Sequence, residues 1–207
     1  MAGFLFSGPA SAATTLVLAH GAGAPMDSPW METVAAALAA EDIRTARFEF
    51  AYMAARRGGQ PKPPPRAERL MDEYRDALAQ LPSGGRVLIG GKSMGGRVAS
   101  MVADELHAAG RIAGLACLGY PFHPPGQPEK LRTLHLQNLA CPALICQGTR
   151  DPFGTRDEVT AYKLSPAIAF EWLEDGDHDL KPRKGFGTQQ AHLAQAAAAI
   201  ARFAAGL

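Results

Sequence analysis

The segment Gly91-Lys92-Ser93-Met94-Gly95 holds a serine with a glycine two positions away on either side. It follows an apolar run at residues 86–90 that predicts a strand, and it begins a stretch with helical spacing at residues 94–109. A turn this tight between a strand and a helix accepts only small residues at the two glycine positions, and it presents the serine hydroxyl at the edge of the sheet. Ser93 is therefore the candidate nucleophile.

A serine hydroxyl is a weak nucleophile and needs a general base. In proteins with this kind of turn, the acid and then the histidine follow the serine along the chain. Of the six histidines, His178 lies in the loop after the last predicted strand, where the base is expected. Asp151 follows an earlier predicted strand and is the candidate acid, although a turn or helix-cap role is an alternative. The competing aspartates are Asp157, Asp175, Asp177 and Asp179.

Backbone amides are the expected donors to a developing oxyanion. One is the amide of Met94, at the predicted start of the helix. The other is Ala22, in the glycine-rich loop His20-Gly21-Ala22-Gly23 that follows an early strand. His20 and Gly21 belong to the candidate pocket, and His20 is expected to hydrogen-bond within its own loop rather than act as the base.

The segment after another predicted strand contains Tyr120, Phe122 and His123. These residues are expected to line an apolar pocket for the acyl or alcohol group. A rigid proline-rich loop with a buried aromatic residue is an equally weighted alternative. Arg56, Arg57 and Lys62 could meet an acidic substrate, but a solvated loop is the simpler interpretation.

A phosphate-binding loop is the alternative for the glycine-rich turn at Ser93. That loop requires G-x-x-x-x-G-K-[ST], and the position of its first glycine is occupied by Arg86. We also find no clustered metal ligands, because His178 lacks a paired second histidine. The chemistry expected of Ser93 therefore needs no metal or organic cofactor.

The elements that must position these residues alternate between strands and helices. This order predicts an α/β fold with a mainly parallel sheet, helices on both faces and the site at the carboxyl ends of the strands. We expect one domain over residues 1–207, with a loop at 53–65 and little room for a cap. Strands are predicted at residues 3–7, 14–19, 43–52, 86–90, 112–118, 142–146 and 167–173, and helices at 29–41, 66–81, 94–109, 155–163 and 189–203.

Composition excludes several classes of partner. The formal net charge is +1 with interspersed signs, so neither nucleic acid nor an anionic membrane is expected to bind. No apolar run is long enough to span a membrane. The cysteines, Cys117, Cys141 and Cys146, are too few and irregular for a disulfide framework. We interpret them as core residues of a cytoplasmic protein, and the sequence indicates no oligomeric state.

Four segments together resemble one group of α/β hydrolases. They are residues 20–23, 90–97, 119–123 and 147–152, and the resemblance spans residues 14–207. The group is the small, lidless, dienelactone-hydrolase-like set that also contains a testis-expressed protein and a subunit of a chromatin acetyltransferase complex. The resemblance implies an α/β-hydrolase fold without a cap domain and the triad Ser93, Asp151 and His178. Dienelactone hydrolases themselves carry a cysteine nucleophile, whereas residue 93 here is serine.

These observations predict a serine hydrolase that cleaves a small carboxylic ester or thioester through an acyl-enzyme. The alternative from another class is a catalytically idle α/β-hydrolase fold that serves as a binding or scaffold module. Acyl transfer to an acceptor other than water is a third interpretation, because it uses the same triad chemistry.

Overall fold

A seven-stranded, mostly parallel sheet forms the centre of the molecule. The computed structural model describes residues 3–60, 62–82 and 84–207. The strand order is β1-β3-β2-β4-β5-β6-β7, with only β1 antiparallel to its neighbour among these seven. The strands are β1 Leu5–Ser7, β2 Thr14–Ala19, β3 Ile43–Phe48, β4 Arg86–Lys92, β5 Gly114–Leu118, β6 Ala143–Gly148 and β7 Ile168–Leu173.

Helices cover both faces of this sheet. In the described part of the chain they are α1 Pro29–Ala40, α2 Ala51–Arg57, α3 Met71–Ala79, α4 Met94–Ala108, α5 Arg156–Thr160 and α6 Gln189–Ala205, with short 3-10 helices at Ala67–Leu70 and Leu134–Leu136. The central strand β2 explains the two-sided arrangement, because all six of its residues are buried. Leu16 and Leu18 pack on the side of α1 and α6, and Val17 and Ala19 pack on the side of α3 and α4. The predicted α/β architecture is therefore confirmed.

The segment after β3 differs from the sequence prediction. The strand expected over 43–52 ends at Phe48. Helix α2 occupies the end of that range and the first part of the loop expected over 53–65. Pro61 of that loop lies outside the described residues. The run of alanine and arginine favours a helix by intrinsic propensity. Gly58 and Gly59 end α2, with Gly59 at a φ of 78°. Tyr52 and Met53 bury their side chains in the core, which anchors this short helix.

The helix predicted over 66–81 is divided into two parts. A 3-10 turn at Ala67–Leu70 precedes α3, which begins at Met71. The other predicted elements are present with boundaries shifted by a few residues; the largest shift is at α5, which covers Arg156–Thr160 of the predicted 155–163.

The three cysteines are free and buried, as predicted. Cys117 lies in β5, Cys146 lies in β6, and Cys141 precedes β6. Burial raises the pKa of each thiol, that of Cys141 to about 12. None of the helices in the described ranges combines the length and the apolar character needed to cross a membrane.

The buried hydroxyl of Tyr74 links α3 to the centre of the sheet. Its oxygen lies 2.9 Å from the Val17 carbonyl oxygen and 2.7 Å from the Gly90 carbonyl oxygen, and it accepts a hydrogen bond from the Gly90 amide at 2.9 Å. The side chain has no solvent exposure. Backbone groups between β2 and β4 therefore depend on one side-chain oxygen.

We expect Tyr74→Phe to lower the free energy of unfolding by about 1–3 kcal/mol, because buried backbone groups lose their partner. Urea unfolding monitored by circular dichroism measures the change. Tyr162→Phe is the matched control, since the Tyr162 hydroxyl is buried without a hydrogen-bond partner among the described residues. Equal effects of the two substitutions would contradict the role assigned to the Tyr74 hydroxyl.

Candidate active site

Ser93 lies at the sharp turn between β4 and α4. Its φ of 51° and ψ of −118° place a non-glycine residue in the left-handed half of the backbone map. Such a conformation costs about 1–3 kcal/mol and persists only where the surroundings enforce it. The Ser93 amide donates to the Leu118 carbonyl oxygen at 3.0 Å, which ties the turn to the end of β5.

Gly91 and Gly95 make this turn possible. A Cβ on Gly91 would lie 2.5 Å from the carbonyl carbon of Gly95, and a Cβ on Gly95 would lie 2.5 Å from the carbonyl oxygen of His20. Both distances are shorter than atomic contacts allow, and both involve backbone that cannot move aside. The spacing read from the sequence thus matches a physical requirement of the turn.

The structure brings Ser93, His178 and Asp151 together in one hydrogen-bonded chain. His178 Nε2 lies 2.8 Å from Ser93 Oγ, and His178 Nδ1 lies 2.8 Å from Asp151 Oδ2. An ionised carboxylate only accepts hydrogen bonds, so the Nδ1 hydrogen faces Asp151 and the Nε2 lone pair faces the serine hydroxyl. This tautomer is the one a general base requires.

Asp151 is fully buried and its carboxylate has three partners. Besides His178, Oδ2 accepts from Gln147 Nε2 at 2.9 Å and Oδ1 accepts from the Phe153 amide at 2.8 Å. Gln147 is itself buried and accepts from the Tyr120 amide at 2.7 Å. A buried charge is tolerated only when it is paired and hydrogen-bonded, and these contacts meet that condition.

Asp151 and His178, the candidate acid and base, lie on loops whose backbones come into close contact at a glycine. Gly148 ends β6, and a Cβ there would lie 2.3 Å from the Gly176 carbonyl oxygen and 2.5 Å from the Asp177 carbonyl oxygen. The Arg150 amide donates to the Gly176 carbonyl at 2.9 Å. Only a residue without a side chain at position 148 lets the loop of His178 come within reach of Asp151.

The two candidate oxyanion donors border the serine. Met94 is the first residue of α4, and Ala22 lies in the loop after β2. Neither amide donates a hydrogen bond to any group among the described residues. The start of a helix leaves its first amides unpaired, which explains the free amide of Met94, whereas the Ala22 amide is unpaired within its loop; both are available to an anion.

Two clefts flank Ser93, and both include Ala22 and Phe153. We call the first the arginine cleft, with a volume of about 540 Å³; its wall consists of Ala22, Pro65, Arg66, Ala67, Glu68, Ser93, Met94, Arg97, Pro121, Arg132 and Phe153. We call the second the tryptophan cleft, with a volume of about 490 Å³; its wall consists of residues 21–24, 28–31, Lys92, Ser93, Phe153, His178 and Asp179. Each of the two opens to solvent beside the serine.

In the described part of the chain, no group of three or more histidine, cysteine or acidic side chains is arranged to hold a metal ion.

Residues 12–205 match the family model described as an alpha/beta hydrolase domain. The chain belongs to this α/β-hydrolase family. Membership supports a hydrolase, and the expected lidless, dienelactone-hydrolase-like fold is confirmed. The fold places no separate cap domain over the sheet in the described residues.

Solved structures show the same fold at low sequence identity. An α/β serine hydrolase homologue from Coxiella burnetii aligns with a TM-score of 0.72 at 19% identity, over 96% of this chain and 89% of that one. A dienelactone hydrolase from Anabaena variabilis aligns at 0.63 and 20%, over 97% and 88%. An α/β serine hydrolase without a lid, from Xanthomonas campestris, aligns at 0.62 and 18%, over 86% of each chain.

The side chains of Tyr120, Phe122 and His123 do not line a pocket beside Ser93 in this hydrolase. All three side chains are buried, and none borders either cleft; only Pro121 of that segment reaches the arginine cleft. Tyr120 and Phe122 pack on each other with ring centroids 4.8 Å apart. The structure matches the equally weighted alternative, a proline-rich loop with buried aromatic residues, because these rings fill the core.

His20 and Gly21 have separate roles in the hydrolase. His20 is fully buried; its Nδ1 bonds to the Gly21 carbonyl oxygen at 2.7 Å and its Nε2 accepts from the Phe50 amide at 3.1 Å. Burial lowers the pKa of His20, which favours the neutral ring that this pairing needs. The hydrogen bond expected within the loop is present, but His20, which the sequence also places in the candidate pocket, lines neither cleft; Gly21 lines the tryptophan cleft.

The competing aspartates are held elsewhere. Asp175 is buried and pairs with Arg183 and with Arg150, which lies at 3.0 Å. Asp177 shapes the histidine loop, because its Oδ1 accepts from the amides of Asp179 and Lys181. Asp157 lies in the first turn of α5. Among these, Asp151 is the carboxylate that meets the His178 ring.

Sequence reasoning missed two neighbours of His178. The ring of Phe153 lies 4.1 Å from the imidazole, centroid to centroid. Lys92, next to the nucleophile, is buried; its ammonium donates to the His178 carbonyl, lies 3.2 Å from Asp179 Oδ1 and sits 5.3 Å from the Trp30 ring centroid. Lys92 therefore connects the turn of the serine to the loop of the histidine.

We expect Lys92→Met to loosen the histidine loop while the sheet stays intact, because the loop loses a buried charged donor. Amide hydrogen exchange of a peptide covering residues 176–181 measures the effect, and exchange should be faster than in the unmodified protein. Lys184→Met, at an exposed lysine, is the control and should leave that peptide unchanged. Identical exchange in both variants would exclude the connecting role of Lys92.

His135 contacts helix α4, with its Nε2 2.8 Å from Ser100 Oγ and 3.4 Å from the Tyr120 hydroxyl. Burial, assisted by the positive charge of Arg97, lowers its pKa to about 4 from 6.5. The unfolded chain therefore takes up this proton first, and stability is lost as pH falls from about 6.5 towards 4. We expect the melting temperature to drop less between pH 7.5 and pH 5 in His135→Gln than in the unmodified protein. An equal drop in the two proteins would contradict this assignment.

Proposed function

We propose that this protein is a serine hydrolase of carboxylic esters or thioesters, with Ser93 as nucleophile, His178 as general base and Asp151 as the acid that orients it. The observation that supports the proposal is the continuous hydrogen-bonded chain from Ser93 Oγ through the imidazole to Asp151, with both links at 2.8 Å. The backbone of Ser93 is strained, and the close backbone contacts at Gly91 and Gly95 hold it in that conformation. A serine held in this way is typical of a preorganised nucleophile.

In the first half of the reaction, His178 Nε2 takes the proton of Ser93 as Oγ attacks the substrate carbonyl. The oxyanion that forms is stabilised by the amides of Ala22 and Met94. Asp151 stabilises the imidazolium by accepting from Nδ1. Collapse of the tetrahedral intermediate breaks the bond to the alcohol or thiol, which leaves with the proton from Nε2, and the acyl group remains on Ser93.

In the second half, His178 takes a proton from water, and the resulting hydroxide attacks the acyl-enzyme carbonyl. The same amides stabilise the second oxyanion. Its collapse returns the proton to Ser93 Oγ and releases the carboxylic acid. The chemistry uses side chains and backbone amides of this chain alone.

The open clefts favour a small or accessible substrate. Ser93 borders both clefts directly, and no separate cap domain covers it in the described ranges of the chain. The site draws on the ends of β2, β4, β6 and β7, so we propose that residues 1–207 act as one catalytic domain.

A fluorophosphonate probe tests the proposal, because it reacts with a serine only when a base activates it. We expect covalent labelling of Ser93, located by mass spectrometry of the labelled peptide. Ser93→Ala should abolish labelling, and His178→Ala and Asp151→Asn should each slow it by about 100-fold or more. Ser100→Ala, at another serine of the same helix, should keep the reactivity.

Unlabelled, unmodified protein should release the alcohol or thiol of short acyl esters and thioesters in a burst followed by slow turnover, and protein whose Ser93 has already reacted with the probe should not. Failure of the folded, unmodified protein to react with the probe would contradict the proposal and favour a binding or scaffold role. A burst with product appearing only when an alcohol or amine is added would instead assign acyl transfer.

A further inference from the structure

The arginine cleft carries an unbalanced positive charge beside the nucleophile. Its wall includes Arg66, Arg97 and Arg132, against a single carboxylate, that of Glu68. The three arginines come from separate segments: the approach to the 3-10 turn, the first turn of α4, and the connection between β5 and β6. The fold thus gathers these charges at the one cleft wall that also contains Ser93 and Met94.

Only one of the three guanidinium groups has a carboxylate partner. Arg97 Nη2 donates to Glu68 Oε1 at 2.6 Å, whereas its buried Nε has no hydrogen-bond partner among the described residues. Arg132 is half-buried, and its guanidinium makes no hydrogen bond or ion pair with any described residue. The backbone of Arg132 is fixed, since its amide donates to the Phe122 carbonyl at 2.7 Å.

Other arginines of this protein do have such partners. Arg57 is bonded to Asp27 and Glu49, Arg75 to Asp72 and Glu105, and Arg183 to Asp175. An unpaired guanidinium on an exposed loop is simply solvated, but Arg132 is partly withdrawn from water. Its pKa is lowered, first by burial and next by the positive charge of Arg97. Arg66 is exposed and therefore solvated, whereas the half-buried Arg132 lies in the cleft with the ion-paired Arg97 and has no carboxylate partner of its own among the described residues.

We infer that the substrate carries an anionic group, a carboxylate or a phosphate, which Arg132 and Arg97 bind in the arginine cleft. Guanidinium groups match the planar, bidentate geometry of such anions. An anion there would neutralise the excess charge and supply acceptors to the unpaired donors. This inference rests on the proposed function, because it treats the cleft as part of the hydrolase site.

The second cleft indicates where the remainder of the substrate lies. The tryptophan cleft meets the arginine cleft at Ala22, Ser93 and Phe153, and the ring of Trp30 lines it. A substrate with its carbonyl at Ser93 can extend into both clefts. We therefore expect an ester or thioester that joins an apolar part to a part bearing the anion.

Matched ester pairs test this specificity. The first pair is p-nitrophenyl 4-carboxybutanoate and p-nitrophenyl 4-carbamoylbutanoate, which differ only in the charge at the acyl end. The second pair is the butanoyl esters of 4-hydroxybenzoate and 4-hydroxybenzamide, with the charge on the leaving group. The butanoyl ester of 4-hydroxyphenyl phosphate provides the phosphate arm, compared with the same benzamide ester. Uncatalysed hydrolysis is subtracted in each case, since a neighbouring carboxylate raises it.

We expect the unmodified protein to favour the anionic member of at least one pair by roughly tenfold or more in kcat/KM, with the advantage reduced by salt. Arg132→Gln should bring the ratio near one, mainly through KM, and Arg132→Lys should retain part of it. Arg111→Gln, at an exposed arginine outside both clefts, is the control and should keep the full ratio. Arg97→Gln also removes the ion pair with Glu68, so the melting temperature of this variant is measured first to show that it is folded. The outcome with Arg132→Gln decides the test, because Arg132 has no ion pair to lose among the described residues.

Two failures are distinguishable. Cleavage of the neutral esters with no preference for any anionic one, or a preference that survives in Arg132→Gln, would overturn this inference and leave the proposed function standing. No cleavage of any ester and no labelling of Ser93 would contradict the proposed function itself. In that event, calorimetric titration with monomethyl glutarate and with inorganic phosphate tests the anion site directly. Binding that Arg132→Gln abolishes would support the site, and absence of binding would overturn it.

Discussion

The candidate active site depends on backbone contacts so close that they exclude side chains. The Cβ positions of Gly91 and Gly95 are occupied by the backbone of the helix start and of β2, so strand, turn and helix fit together only with glycine. This contact holds Ser93 in its strained conformation and leaves the Met94 amide unpaired. At the other end of the site, Gly148 allows the loops of the acid and the base to meet. Geometry at Ser93 is therefore fixed by the core of the sheet rather than by flexible loops.

Buried polar contacts complete the work of these glycines. Gln147 orients Asp151 from within the core, and Lys92 reaches from the nucleophile turn to the backbone of His178. Each of these polar side chains is withdrawn from water, so each is costly unless paired. The pairing makes the site cooperative, because displacing one loop leaves buried partners of the other unsatisfied. Preorganisation of this kind is what an uncapped site needs in place of a closing domain.

The sequence predicted which residues meet at Ser93 better than it predicted the surroundings of that serine. Ser93, Asp151 and His178 follow strands, and parallel strands bring their carboxyl ends to one edge, so spacing and order were sufficient. Helix α2 was missed because its short apolar pattern resembles the end of a strand. For Tyr120 and Phe122 the sequence left a pocket and a buried loop open as equal alternatives, because periodicity does not tell which way a loop folds. The arginine cleft joins three segments distant in sequence, and no local pattern signals such a convergence.

The buried thiols of Cys117, Cys141 and Cys146 are natural probes of how often the folded core opens. A thiol held protonated inside the sheet does not react with an alkylating reagent, since the thiolate is the reactive form and the reagent has no access. The reagent can therefore modify Cys117 in β5 and Cys146 in β6 only after these strands have been exposed to solvent. The rate at which these thiols become modified under native conditions then reports how often the sheet comes apart, cysteine by cysteine, without any introduced label.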